Sequence, residues 1–344
     1  MWRLRRKDET KSGGIAVADR PPDYEGSTED LWDEIEQLTS GERDREAERR
    51  VLRLRHIAGI RAMQEAEGGA DFADPAVASL PDADGLPEFA HDALTPGLLR
   101  AGILRDGCVL VRGLIDRDRA LAFADQIDRA FSERDRESDA RAEGYYEEFV
   151  PSPPYTRVDG REWIREGGGV LAADSPMVAF EMFDLFRDAD LAPLVDGYLG
   201  EPGLISVHKT TLRKAAPSVP GAWHQDGTFM GPVRSLNLWL SLSRCGDVAP
   251  GLDLVPRRLE QLVAAGTDDA MLGIQTSTSK VMEAAGDTPI LRPIFEPGDA
   301  LFFDELFLHQ TASDPSMANS RYAIENWFFG ASSFPEDYAP IATW

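Results

Sequence analysis

A chain of 344 residues with 42% hydrophobic and 28% charged side chains is long enough for one large catalytic domain plus an appendage, and it has the make-up of an ordinary soluble globular protein. Its 60 acidic against 36 basic side chains leave a formal net charge of -24, which repels phosphate backbones and anionic lipid alike and argues against nucleic acid and membrane partners. No apolar run approaches the roughly 20 residues that span a bilayer, and the two cysteines, Cys108 and Cys245, stand in no paired spacing, which excludes a disulfide framework.

The opening MWRLRRK is followed by DETKSGG instead of an apolar stretch, so the expectation is a cytoplasmic chain without a secretion signal. Residues 1–26 are polar and rich in Gly, Pro and charge, which predicts a disordered lead-in. Ser27 with Asp30 forms a capping-box pair, and Leu31, Ile35 and Leu38 then recur at helical spacing as far as Ser40. A second helix is expected over about 43–67, with Ala47, Val51, Leu54 and Ala58 on one face. The two helices make a hairpin within an extension over 27–90, readable as a flap on the main domain or as a dimer contact, and the oligomeric state stays open. His56 and His91 have no evident partners and are expected at the surface.

The main domain is expected over 91–344. A short helix near Leu94 leads into the apolar strand CVLVRGLI at 108–115, and Asp116 then caps a helix with Ala120, Ala124, Ile127 and Phe131 on one face. Residues 132–170 change character: a charge run precedes Tyr145 and Tyr146, a Pro-rich turn at 151–154, Trp163 and three glycines at 167–169. Two readings stand side by side, a lid that brings Tyr145 and Tyr146 over a substrate, and a long surface loop. After helical stretches around 176–198 the period changes to two, and strands are expected at 204–213, 235–243, 252–255 and 300–303. The alternation is cleanest at 235–243, where Leu236, Leu238, Leu240 and Leu242 share one face and Asn237, Trp239 and Ser241 the other. Helices first and strands later predict an α+β chain whose β part is a sandwich or barrel.

Two of the five histidines stand in informative company. In the extended segment Trp223-His224-Gln225-Asp226-Gly227, residues two apart point to one side, so His224 and Asp226 can bind a single ion. His309, at the end of LFFDELFLHQT, supplies a third ligand from far along the chain. Two histidines and a carboxylate on one face, with the other positions open, is the arrangement of non-haem Fe(II) oxygenases, where oxygen and an organic co-substrate must both reach the metal. Arg321 lies twelve residues after His309 in the strand-like RYAIENWFF. Its fork of donors fixes a carboxylate through two parallel hydrogen bonds, which suits the distal carboxylate of 2-oxoglutarate.

These residues resemble the phytanoyl-CoA dioxygenase family of Fe(II)/2-oxoglutarate oxygenases from about Leu104 to Gly330. The resemblance rests on WHQDG at 223–227, LNLWLSL at 236–242, GLDLVP at 251–256, PGDALFF at 297–303, His309 and Arg321, with DGCVLVRGLIDRDRALAFADQI similar to the family's opening strand and helix. It implies a double-stranded β-helix (jelly-roll, cupin-like) core with flanking helices. It also implies His224, Asp226 and His309 as ligands of Fe(II), Arg321 as the 2-oxoglutarate arginine, and O2 as the oxidant. By strand phase within that resemblance, Asn237, Thr210 and Lys214 are expected near the co-substrate. His208, Gln225, Trp239, Tyr145 and Tyr146 are expected around a small-molecule substrate. The chain departs from the pattern at Arg257-Arg258-Leu259, where relatives often have Gly-Ser-His, and at Ala323, where many oxygenases have a hydroxyl. Because related halogenases replace the carboxylate ligand, Asp226 points to hydroxylation over halogenation, with desaturation and ring formation left open. Two rivals remain: a catalytically silent ligand-binding or partner-binding member of the fold, and a zinc hydrolase, since the same three ligands suit zinc.

Overall fold

The computed structural model describes residues 24–66, 77–81, 85–219, 221–230, 233–267 and 273–344. Residues 1–23 of the expected lead-in lie outside them. Helix α1 (Thr28–Ser40) opens with the expected reciprocal cap between Ser27 and Asp30, and α2 (Arg45–Glu65) is capped by Asp44. The apolar stripes of this hairpin, Leu31 and Ile35 with Leu54, Ile57 and Ala58, pack on Leu204, Phe329 and Phe334 of the main body.

Strand β1 (Glu88–Ala90), inside the stretch expected as the helical extension, joins the main sheet through β2 (Cys108–Arg112), with α3 (Pro96–Asp106) between them. Then follow α4 (Arg117–Arg134), α5 (Arg161–Glu166), β3 (Gly169–Leu171), α6 (Pro176–Asp188), α7 (Leu191–Leu199), β4 (Gly203–Ser206) and β5 (Thr211–Ala215). The remainder is mostly strand: a short α8 (Gly227–Met230), β6 (Leu236–Ser241), β7 (Gly251–Leu254), α9 (Thr278–Ala285), β8 (Ala300–Asp304), β9 (His309–Ala312), β10 (Arg321–Gly330) and β11 (Pro340–Ala342).

The strands form a nine-stranded sheet, in the order β1-β2-β8-β6-β10-β4-β11 with β5 and β3 branching from β10, and a two-stranded sheet of β7 and β9. Alternation in β6 decides which face meets which layer. Leu236, Leu238 and Leu240 enter the main core with residues of α3, α4, α6 and α7, such as Leu99, Ile127, Met182 and Val195. Trp239 points the other way, into a second cluster with Leu252 and Leu254 of β7. Helices thus cover one face of the large sheet, and the small sheet packs on the inner face.

Strand β10 organises the inner face. On one side it pairs with β6, placing Ala323 opposite Ser241, Glu325 opposite Trp239 and Trp327 opposite Asn237. On the other it pairs first with β5, Arg213 opposite Ala323, and then with β4, Ile205 opposite Phe328. The strand expected at 204–213 is therefore two strands. Residues 206–210 stand opposite only Asn326 and Trp327, so the segment bulges and closes a turn in which Ser206 O accepts from Lys209 N at 3.2 Å and Thr210 N at 3.1 Å. No glycine or proline marks this interruption in VHKT, which is why strict alternation missed it.

His56 corrects a surface expectation. Its ring is fully buried, Nδ1 contacts Pro340 O at 2.6 Å, and Nε2 accepts from Ser152 N at 2.9 Å. One turn on, a Cβ at Gly59 would lie 3.1 Å from the backbone of Pro340, Ile341 and Ala342, so α2 rests directly against β11. His56 ties α2, β11 and the segment before α5 together. His56→Ala strands two buried backbone groups and should cost about 1–3 kcal/mol. Urea unfolding checks this, and an unchanged midpoint would remove the clamp.

Candidate metal centre

His224 and His309 form an isolated antiparallel bridge, with His224 N donating to His309 O at 3.0 Å and His309 N to His224 O at 3.1 Å. Directly paired residues point to the same side, and the two ring centroids are 4.5 Å apart. Each Nδ1 faces a backbone carbonyl, Ala222 O at 2.7 Å and Phe307 O at 3.1 Å. With the proton on Nδ1, both Nε2 lone pairs are free to bind a metal. Asp226 Oδ1 lies 3.5 Å from His224 Nε2, and one ligand atom from each of the three residues lies within 4.8 Å of the others. Its other oxygen accepts a hydrogen bond from Asn237 Nδ2, and Asn237 Oδ1 in turn accepts from Ser235 Oγ at 2.7 Å.

The electrostatics agree with a cation site. Burial pushes the Asp226 carboxyl up to about 8. It lowers His224, and burial with the neighbouring His224 brings His309 down to about 3. The imidazoles are therefore neutral, as metal ligands must be, and a carboxylate here is favourable only beside positive charge.

Arg321 opens β10 on this inner face and has no exposed surface. Nη1 donates to Gly251 O at 3.2 Å, while Nε and Nη2 have no hydrogen-bond acceptor among the described residues. The Trp239 ring lies 5.3 Å from the guanidinium carbon, and Trp239 Nε1 is also without an acceptor there. Glu325 carries the nearest carboxylate, 3.6 Å from Arg321 Nη2 and 3.3 Å from Arg213 Nε, so two arginines share one acid. Unsatisfied buried donors around an excess positive charge are a cradle for an anion.

The other expected site residues take partners within the protein. Asn237 serves Asp226. Thr210 donates to Asn326 Oδ1 at 2.7 Å in the buried interior. Lys214 reaches Asp128 of α4 at 2.5 Å beside Tyr322, because it points away from Arg213 in strand phase. Gln225 is buried between the ligands in sequence, yet its amide donates to Leu306 O at 2.6 Å and accepts from Val263 N at 2.6 Å, pinning the loop. Tyr145 hydrogen-bonds Gln126 on α4 and Tyr146 lies against Arg141, so neither is brought to the metal ligands. His208 stacks on Tyr338 and accepts from Ala339 N at 3.2 Å, and burial lowers it to about 4.

Further residues reach the centre, and of these only Trp163 belongs to the segment expected as a lid. Phe229 of α8 sits 5.8 Å from His224, and Trp163 of α5 meets Phe229 at 6.1 Å. Lys209, thrown inward by the bulge, lies over Phe229 and Trp327, and burial lowers its ammonium to about 8 against the pull of Asp226. Counting by two from Arg321 finds Glu325 and Trp327; no periodicity finds Lys209.

No family model matches the sequence, and no curated protein matches it. Among solved structures, EctD from S. alaskensis with 2-oxoglutarate and 5-hydroxyectoine aligns at a TM-score of 0.50 and 18% identity, over 77% of this chain and 83% of that one. EctD from S. alaskensis with bound Fe gives 0.50 and 18% over 77% and 84%. The non-heme alpha ketoglutarate dependent carbocyclase SnoK from nogalamycin biosynthesis gives 0.46 and 13% over 70% and 85%. The chain shares the fold of EctD.

If Asn237 orients a metal-binding carboxylate, Asn237→Leu should weaken divalent-metal binding about 10–100-fold, and His309→Ala should abolish it in a folded protein. Calorimetric titration reads both. Wild-type affinity in Asn237→Leu would detach the amide from the metal site.

Proposed function

We propose that the chain is an Fe(II)- and 2-oxoglutarate-dependent oxygenase with a double-stranded β-helix core, related to the phytanoyl-CoA dioxygenase family, that hydroxylates a small-molecule metabolite. The observation that carries this reading is Arg321, a wholly buried guanidinium with two idle donor atoms on the face that also carries Glu325 and Trp239. A zinc hydrolase needs no such group. EctD, whose fold the chain shares, has been solved with Fe and with 2-oxoglutarate, which supports the same pair here.

In this reading the Nε2 atoms of His224 and His309 and the Oδ1 of Asp226 hold Fe(II), and Asn237 keeps the carboxylate turned toward it. Arg321 grips the distal carboxylate of the oxoacid, with Trp239 Nε1 as a further donor beside it. Iron, the oxoacid and O2 together supply the oxidising power, with succinate and CO2 leaving as the substrate gains oxygen. Phe229, Trp327 and Trp163 wall the substrate side and keep water from it.

Removing one partner of a buried charge pair costs about 3–5 kcal/mol. At about 1.4 kcal/mol per tenfold, Arg321→Met should weaken 2-oxoglutarate by two or more orders of magnitude while Fe(II) binding persists. Anaerobic calorimetry on the iron-loaded protein measures both affinities, and unchanged oxoglutarate affinity would move the anchor away from Arg321.

A further inference from the structure

Among the described residues Lys209 has no ion-pair partner. Its Nζ lies 4.5 Å from the Phe229 ring centroid, 4.7 Å from Trp327 and 5.6 Å from Tyr338. Among the described residues Asp226 is the one acid whose charge acts on it, and Asp226 is committed to the metal. Aromatic faces attract an ammonium but offset only part of the cost of withdrawing it from water.

Charge balance identifies what is missing, on the reading that the pocket holds Fe(II) and 2-oxoglutarate. Arg213 and Arg321 share Glu325, and Asp226 is the ligand carboxylate. These four side chains, a divalent ion and a dianionic oxoacid balance to neutrality. Glu305 also lies near Asp226, but burial and Asp304 push its carboxyl up to about 7, and the carboxylate is turned to Ser235 N, from which it accepts. The ammonium of Lys209 is left over, and it sits among aromatic rings, one ring away from His224.

We propose that Lys209 is the specificity residue for the substrate, binding the carboxylate of a monoanionic small molecule whose flat or cyclic apolar body lies among Phe229, Trp327 and Tyr338. The hydroxylated carbon then belongs to the body of that molecule, held between this anchor and the metal. A phosphate dianion would overcompensate the single remaining charge, and a cationic substrate would be repelled.

The test uses full-length protein loaded with Fe(II) and 2-oxoglutarate without oxygen, titrated calorimetrically with matched pairs: cyclohexanecarboxylate, 3-phenylpropionate and indole-3-acetate, each against its carboxamide. At least one carboxylate should bind about tenfold or more tightly than its amide, and Lys209→Met should erase the preference while still binding iron and oxoglutarate. Should Lys209→Met lose oxoglutarate as well, Lys209→Arg decides, because it keeps the charge and must keep the preference. The proposal is overturned if no carboxylate is preferred to its amide, or if the preference survives in Lys209→Met. Failure of the wild-type protein to bind 2-oxoglutarate sinks the oxygenase reading instead, and the carboxylate comparison on protein loaded with iron alone still reports on Lys209.

Discussion

A guanidinium cannot shed its charge in a protein, so burying Arg321 completely obliges the surrounding structure to supply anions and acceptors. The chain supplies too few: one backbone carbonyl and a shared glutamate for three nitrogens. A fold that places such a group in its interior is stable only because the strands on either side hold it there. Strand β10 pairs with β6 on one flank over 323–328 and with β5 and then β4 on the other, and Arg321 itself stands opposite Ala215 of β5, so the sheet fixes where its side chain starts. The same register sets Glu325, Trp327, Asn237 and Trp239 on one surface.

The candidate metal ligands depend on a different device. His224 and His309 bond backbone to backbone, and each ring is turned by a carbonyl two residues earlier in its own chain segment. Gln225, wedged between the two nearer ligands, ties their loop to Leu306 and Val263 and so to the strand that delivers His309. Asp226 alone takes its orientation from the large sheet, through Asn237. Local backbone geometry therefore aims the imidazoles, and the sheet aims the carboxylate.

Much of this was legible in the sequence. The His-x-Asp spacing and the alternation of β6 rest on two-residue periodicity, the folded chain brings His309 to His224 and Asp226, and Arg321 lies buried on the inner face beside Trp239. Legibility failed where periodicity breaks without a marker. The bulge at Val207–Lys209 contains neither glycine nor proline, so strict alternation runs on through it, placing Thr210 in the pocket and Lys209 outside, the reverse of their places in the structure. Long polar side chains are hard to place from sequence for a related reason: Lys214, Tyr145 and Gln225 find partners distant in sequence, and only the folded chain brings those partners near.

The proposed activity requires iron and an oxoacid to meet in one pocket and activate oxygen. Its most direct test is succinate release by purified protein given Fe(II), ascorbate, O2 and 2-oxoglutarate, with the Asp226→Ala protein beside it. Slow, iron-dependent succinate formation even before a substrate is added, reduced in Asp226→Ala, is the predicted result. A protein that binds both iron and oxoglutarate yet forms no succinate, with or without a broad panel of carboxylate metabolites, would contradict it and leave a ligand-binding protein of the same fold.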